Sequence, residues 1–166
     1  MALIIDIFDL AEKKKTAEGE IAVADLPNLR AFLATDEGLV HWRAEGAGER
    51  RGHPAARLAI EGDAFMSCAR CNKPVAVQFE SEAVFLFVKD EAAANSMPIA
   101  EDDEDEDVVV GSRHFSIDDW VQEEAILSLP ALPVHEDCGE ALWEDEPEAP
   151  VEKPNPFAAL AALKKQ

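Results

Sequence analysis

The sequence is poor in positive charge. Its 166 residues contain 15 lysines and arginines against 35 aspartates and glutamates, which gives a formal net charge of −20 at pH 7. Proteins that bind duplex nucleic acid without sequence preference do so by neutralising phosphates with Lys and Arg. The shortage of these residues argues against that function. It is compatible with a basic partner, and equally with a surface charge that serves only solubility.

Long apolar runs are also missing. A membrane-spanning helix needs about 20 consecutive apolar residues, and no window of this sequence approaches that length. The N-terminus carries acidic residues early and lacks the basic start of a signal peptide. These two absences predict a cytoplasmic protein without a membrane partner.

Cysteine is scarce, with three residues in the chain. Cys68 and Cys71 form a Cys-x-x-Cys pair, which favours a reducing compartment and metal or redox chemistry over a disulfide framework. Motifs of a serine hydrolase, a phosphate-binding P-loop and a dinucleotide site are absent. The histidines His41, His53 and His114 have no evident nucleophile beside them. We therefore predict that the protein is not an enzyme.

The stretch from residue 56 to residue 88 predicts the centre of the fold. Alternating apolar segments at 56–65 and 75–88 are typical of two β-strands, and the Cys-x-x-Cys pair lies in the turn between them. The consecutive apolar residues 84–88 predict a strand buried on both faces. Together with helices elsewhere, this hairpin predicts an α+β fold with a largely antiparallel sheet.

Shorter elements are predicted on both sides of the hairpin. They are a helix or strand in 3–15, strands at 19–24 and 39–44, a helix capped by Asp25, and a loop at 46–54. Ser116 is predicted to cap a helix that ends at Pro130, with Asp119 completing a pair that resembles a capping box.

The acidic segments predict the domain organisation. We expect one domain at 1–143, interrupted by a disordered loop at 90–107 whose last seven residues are all acidic, because such a run repels itself and stays solvated. Residues 144–154 are acidic and proline-rich, which is typical of a disordered linker. Residues 155–166 are alanine-rich and predict a short C-terminal helix.

A second close-spaced pair makes a zinc site possible. Cys68, Cys71, His135 and Cys138 form a Cys3His set, which is a known ligand set of structural zinc. The two pairs lie far apart in the sequence, so the hypothesis requires the fold to bring them together. Idle thiols in a turn are the alternative. A thioredoxin-like redox pair is disfavoured because Pro74 and a strand, rather than a helix, follow the cysteines.

Basic residues concentrate around the predicted hairpin, and they are the candidate contacts to RNA or to a partner. If the fold brought them onto one face, they would form a phosphate-facing patch. Scattered charges that protect strand edges from aggregation are the alternative. The residues before the turn are Arg43, Arg50, Arg51, His53 and Arg57, and those within it are Arg70 and Lys73.

Three segments resemble a known family. Residues 68–74 (Cys-Ala-Arg-Cys-Asn-Lys-Pro) resemble the Cys-x-Arg-Cys-x-x-Pro signature of the YceD family, formerly called DUF177. Residues 129–138 are similar to its second block, in which many members carry more cysteines and this chain has His135. Residues 153–164 resemble the ending of the proteobacterial members.

The resemblance implies a bacterial, non-enzymatic ribosome-biogenesis factor that supports the synthesis, processing or stability of large-subunit (23S) ribosomal RNA. The implied partner is this RNA or a pre-ribosomal particle. An acidic chaperone or adaptor for a basic ribosomal protein is the alternative, and the net charge favours it. A metal- or thiol-dependent RNA hydrolase and an adaptor unrelated to ribosomes are the remaining hypotheses.

Overall fold

The fold is built on a five-stranded sheet whose strands lie in chain order. The first four strands pair with one another in antiparallel fashion, and the fifth pairs with the fourth in parallel. They are β2 (Thr16–Ala22), β3 (Gly38–Arg50), β4 (His53–Ser67), β5 (Pro74–Val88) and β6 (Glu106–Val110). A separate antiparallel pair joins β1 (Ile4–Ile5) to β7 (Phe115–Ser116). The predicted α+β fold with a largely antiparallel sheet is confirmed.

The computed structural model describes residues 3–98 and 106–138. Every described helix and strand lies within residues 4–128. The predicted linker at 144–154 and the predicted helix at 155–166 lie outside the described residues, so this part of the domain organisation stays a prediction. No described helix is long and apolar enough to span a membrane.

The central hairpin is the longest feature of the sheet. β4 and β5 have 15 residues each, and they pair from Ser67 opposite Pro74 to Ala55 opposite Leu86. Residues 85–88 of β5 are all at most 5% exposed. The burial predicted for residues 84–88 is therefore confirmed for residues 85–88, whereas Val84 is only partly buried.

Helices cover one face of the sheet. In α4 (Ile117–Ser128), the Trp120 ring meets Phe85 and Phe87 edge to face, with ring centroids 5.1 and 5.7 Å apart. On the same face, α1 (Ile7–Glu12) buries Ile7 and Leu10. The core therefore lies between these helices and the inner face of the sheet.

The predicted start and end of α4 are confirmed. The Ser116 hydroxyl accepts a hydrogen bond from the backbone N–H of Asp119 at 3.2 Å, which satisfies one of the open donors of the first turn. The Asp119 carboxylate accepts from the Gln122 side chain at 2.9 Å instead of from the Ser116 N–H, so the predicted capping-box pair forms only its Ser116 half. The helix ends at Ser128, two residues before Pro130.

The loop predicted at 46–54 is wrong. Strand β3 continues to Arg50 and β4 begins at His53, so two residues, Arg51 and Gly52, make the turn. Both have positive φ (50° and 78°), as a tight hairpin turn requires. Gly46, which the prediction placed in the loop, has a packing role in β3. A Cβ on Gly46 would lie 2.0 Å from the Leu10 carbonyl oxygen of α1.

Other predicted boundaries also change. Residues 3–15 hold both alternatives, a short strand followed by a helix capped by Asp6. Asp25 caps no helix: it ends a 3-10 turn at Val23–Asp25, and α2 (Pro27–Arg30) follows Leu26. Proline at the first helical position fixes a suitable φ and needs no N–H donor there, so the helix begins later than predicted.

The predicted acidic loop at 90–107 is ordered at both ends. α3 (Glu91–Ser96) begins at Asp90, whose carboxylate accepts from the Ala93 N–H at 2.7 Å. Glu106 and Asp107 belong to β6 and pair with Val84 and Phe85. Residues 101–105 of the acidic run lie outside the described part of the chain, so their predicted disorder stays a prediction.

Candidate metal centre and charged surfaces

The turn between β4 and β5 holds the first cysteine pair. Cys68 donates its backbone N–H to the Lys73 carbonyl at 2.9 Å, and its own carbonyl accepts from the Asn72 N–H at 2.9 Å. Asn72 has φ of 57°, a left-handed conformation that Asn adopts more readily than most residues. These bonds close the turn with both cysteines inside it.

The sulfur of Cys68 is surrounded by backbone donors. Its residue is 2% exposed, and the Arg70 N–H donates to Sγ at 3.4 Å. Hydrogen bonds from the backbone N–H groups of Cys71, Arg70 and His135 lower the pKa of the Cys68 thiol to about 5, and the Cys71 N–H has the largest effect. Burial alone would raise this pKa, so the donors outweigh it.

The second pair is positioned by the segment that follows α4. The Ala69 N–H donates to the Pro133 carbonyl at 2.8 Å, which attaches this segment to the turn. His135 Nε2 lies 2.9 Å from the Pro74 carbonyl oxygen, and its Nδ1 lies 3.4 Å from the Cys71 sulfur. Because a carbonyl oxygen only accepts, Nε2 carries the hydrogen, and Nδ1 of the neutral ring presents its lone pair to the sulfur.

The same contacts favour protonation of the histidine while no metal is bound. The Pro74 carbonyl, followed by the sulfurs of Cys68 and Cys71, raises the pKa of His135. A metal ion would compete with this proton, because only the neutral ring has a lone pair to offer.

The four residues that the sequence predicts as zinc ligands lie close enough together to hold a metal ion. One potential ligand atom from each of Cys68, Cys71, His135 and Cys138 lies within 4.8 Å of all the others. Ligand atoms around a tetrahedral zinc ion are about 3.5–3.8 Å apart, so a contraction of about 1 Å would complete the geometry. Three sulfurs and one imidazole suit zinc better than magnesium or calcium, which prefer oxygen ligands.

The predicted basic residues fall into two groups. Arg50 and Arg51 lie at the β3–β4 turn, whereas Arg70 and Lys73 lie at the β4–β5 turn. The 15 residues of β4 separate these turns by about 45 Å. The two groups therefore do not form one continuous patch.

Most of the arginines that precede the β4–β5 turn are paired with carboxylates. Arg50 Nη1 lies 3.1 Å from Glu106 Oε1 and Arg51 Nη1 lies 3.9 Å from Glu106 Oε2, where the Glu106 side chain is 3% exposed. Arg51 also donates to the Pro98 carbonyl at 2.9 Å. On the sheet, Arg57 pairs with Glu82 at 3.1 Å. These charges already have partners within the chain.

The sequence reasoning missed an acidic surface on the sheet. The outward side chains of β2–β5 form what we call the acidic sheet face. The cross-strand register aligns Glu20, His41, Glu61 and Glu80 in one row. The sequence signal that could have revealed this face is the acidic residue at every second position within the strands. The acidic residues of this face are Glu18, Glu20, Glu45, Glu61, Asp63, Glu80 and Glu82.

The basic side chains on this face pair with only some of its acids. His41 pairs with Glu20 at 3.2 Å, and Arg43 pairs with Glu45 at 2.6 Å. Glu61, Asp63 and Glu80 have no ion pair among the described residues, and they line a depression of about 490 Å³. Since Glu61 and Glu80 are direct cross-strand neighbours, their like charges repel across the sheet.

Comparison with known sequences identifies the family. The family described as "Large ribosomal RNA subunit accumulation protein YceD" matches residues 56–164. The chain belongs to this YceD family. A relative of that description from Haemophilus influenzae is 32% identical over 115 residues, which cover 64% of this chain and 63% of the relative. The chain thus spans less than two thirds of that relative's length, and no solved structure matches.

The YceD match confirms the resemblance and shows where it lies in the fold. It covers nearly all of β4, the cysteine turn, β5, α4 and the four candidate ligands. It begins at residue 56, so β1–β3 and the arginines of the β3–β4 turn precede it. The candidate metal centre therefore belongs to the part of the chain that resembles the YceD family.

Proposed function

We propose that this protein is a non-enzymatic factor that supports the synthesis, processing or stability of large-subunit ribosomal RNA. The observation that carries the proposal is the YceD match over residues 56–164. The H. influenzae relative has the same description in its name. The partner proposed here is large-subunit ribosomal RNA, or the pre-ribosomal particle that contains it.

We also propose a structural zinc ion as part of this function. The supporting geometry is the approach of Cys68, Cys71, His135 and Cys138 to within 4.8 Å. Four protein ligands would leave no position for a catalytic water, so the ion would stabilise the fold rather than hydrolyse RNA. It would fix the segment after α4 to the β4–β5 turn, where two hydrogen bonds already join them.

Arg70 and Lys73 are the proposed contacts to RNA. They lie in the cysteine turn and inside the family match. Arg50, Arg51 and Arg57 are further candidates, and each is within reach of a carboxylate in the chain. A phosphate would have to replace that carboxylate before these arginines could bind RNA.

A second candidate is a chaperone or adaptor for a basic ribosomal protein. The acidic sheet face favours it, because carboxylates without an ion pair among the described residues lie side by side there and line a depression. A surface of this kind, which no described residue covers, would attract a lysine- and arginine-rich chain and repel RNA phosphates. This function would support ribosomal RNA indirectly, through the assembly of the subunit.

In-cell crosslinking separates the two candidates. Bound RNA and bound protein are counted from the same pull-down, with Arg70→Glu/Lys73→Glu and Glu61→Lys/Glu80→Lys as paired variants. Loss of large-subunit RNA crosslinks only in the first variant supports RNA contact. Loss of basic ribosomal proteins only in the second supports the chaperone. A deletion strain with a normal ratio of large- to small-subunit RNA would contradict both.

A further inference from the structure

The two cysteines of the β4–β5 turn differ in accessibility. Cys71 is exposed, whereas Cys68 is 2% exposed. Their sulfurs lie within 4.8 Å of each other. The Asn72 N–H···Cys68 carbonyl bond holds the turn closed around them. A reagent from solvent therefore reaches Cys71 first, and a second thiol is already beside it.

We propose that Cys71 is a site of reversible oxidation by hydroperoxides, and that Cys68 resolves the oxidised cysteine as a disulfide. In the first step, the Cys71 sulfur attacks the peroxide O–O bond of ROOH. This gives Cys71–SOH and releases ROH. In the second step, the Cys68 thiol attacks the Cys71 sulfur, which forms the S–S bond and releases water. Two thiols are oxidised by two electrons in total, and the peroxide is reduced by the same two.

Cys68 is the resolving thiol because of its place in the turn. It is separated from Cys71 by two residues, so a disulfide closes a short loop that the hairpin already forms. Prompt resolution protects Cys71 from further, irreversible oxidation to the sulfinic acid. A cellular dithiol would restore both thiols by disulfide exchange.

The consequence for the rest of the site depends on the proposed zinc ion. A disulfide removes two of the four donors, and the ion would then leave. The segment after α4 would keep its hydrogen bonds from Ala69 to Pro133 and from His135 to Pro74, but would lose its metal link to the turn. Oxidation would thus loosen this attachment without cutting the chain.

Hydrogen peroxide tests the proposal on the purified full chain. After treatment, free thiols are alkylated and peptides are mapped by mass spectrometry, while a chromogenic chelator records released zinc. We expect the 68–71 peptide to lose two hydrogens and to regain them with a dithiol. We expect the same product in Cys138→Ser. In Cys68→Ser, Cys71 should proceed to the sulfinic acid.

Two results would overturn the proposal: sulfinic acid at Cys71 with Cys68 still alkylated in the wild-type protein, or a disulfide that uses Cys138 instead. The failure of the zinc hypothesis gives a different result. Protein that contains no metal but still forms the Cys68–Cys71 disulfide refutes the zinc ion and retains the oxidation site. Disulfide formation with zinc retained contradicts the proposed release.

Discussion

His135 Nε2 lies 2.9 Å from the Pro74 carbonyl oxygen, and this contact directs Nδ1 toward the Cys71 sulfur 3.4 Å away. A backbone carbonyl in β5 therefore selects the ring nitrogen that faces the cysteines. Such outer contacts fix the tautomer and orientation of metal-binding histidines. The relationship makes His135 the residue whose replacement tests the metal hypothesis most directly.

His135→Ala is expected to reduce zinc affinity by at least about tenfold, because it removes one ligand of four. His135→Cys should retain tight binding, since four cysteines also form a structural zinc site. Competition against a chelator of known affinity measures both. His53→Ala is the control, since His53 lies at the opposite end of β4. Equal affinity in His135→Ala and the wild-type protein would exclude His135 as a ligand.

Removal of the metal is expected to loosen the segment after α4 and to leave the sheet intact. The Ala69 N–H bonded to Pro133 reports on that segment, and amides in the middle of β4 report on the sheet. Hydrogen exchange with and without a chelator should show faster exchange at Ala69 and little change in β4. Uniformly faster exchange would mean that the ion stabilises the whole fold. No change at Ala69 would contradict the proposed attachment.

The local part of the candidate site could be predicted from the sequence. Alternating apolar residues on both sides of the Cys-x-x-Cys pair predicted a hairpin, and β4 and β5 pair in that way. His135 and Cys71 are 64 positions apart in the sequence, and their meeting depends on the elements between them, which include β5, β6 and α4. No local spacing rule encodes such a contact. The sequence therefore supplied the ligand types, and the fold supplied their distance.

Glycine and charge were the misleading signals. Gly46 suggested a loop, but it lies inside β3 where the Leu10 carbonyl leaves no room for a side chain. Glu106 suggested a solvated residue, since it lies in a run of acids. Its side chain is nevertheless 3% exposed, because Arg50 and Arg51 neutralise it after a parallel strand pairing. Composition cannot show which charges have a partner far along the chain.

The metal-free protein is expected to lose stability as the pH falls toward the pKa of the Cys68 thiol in the folded state. The pKa of this thiol is lowered from 9.0 to about 5 by backbone N–H donors, the first of which is Cys71. A group whose pKa is lowered by folding stabilises the folded state fully above its unfolded pKa and loses this contribution as the pH falls toward its folded pKa. The stabilisation should therefore be complete above pH 9 and absent below pH 5.

Denaturant unfolding between these pH values measures this effect. The difference in the free energy of unfolding between the metal-free wild-type protein and metal-free Cys68→Ser should shrink as the pH is lowered. The ultraviolet absorbance of the thiolate in a Cys71→Ser/Cys138→Ser variant should follow the same titration. A constant difference across the range would show that Cys68 is a neutral thiol in the folded protein.

Glu106→Gln is expected to destabilise the protein by about 1–3 kcal/mol, because it leaves Arg50 and Arg51 without their carboxylate in a nearly buried position. Glu82→Gln is the matched control. It breaks the Arg57 pair, whose two side chains are 47% and 60% exposed, and should cost at most about 1 kcal/mol. Denaturant unfolding measures both. Equal costs would show that the two pairs contribute equally to stability.

The expected difference in stability matters for function, because charge reversal at Arg50 or Arg51 would then weaken the fold itself. Loss of RNA binding in those variants would therefore not by itself identify an RNA contact.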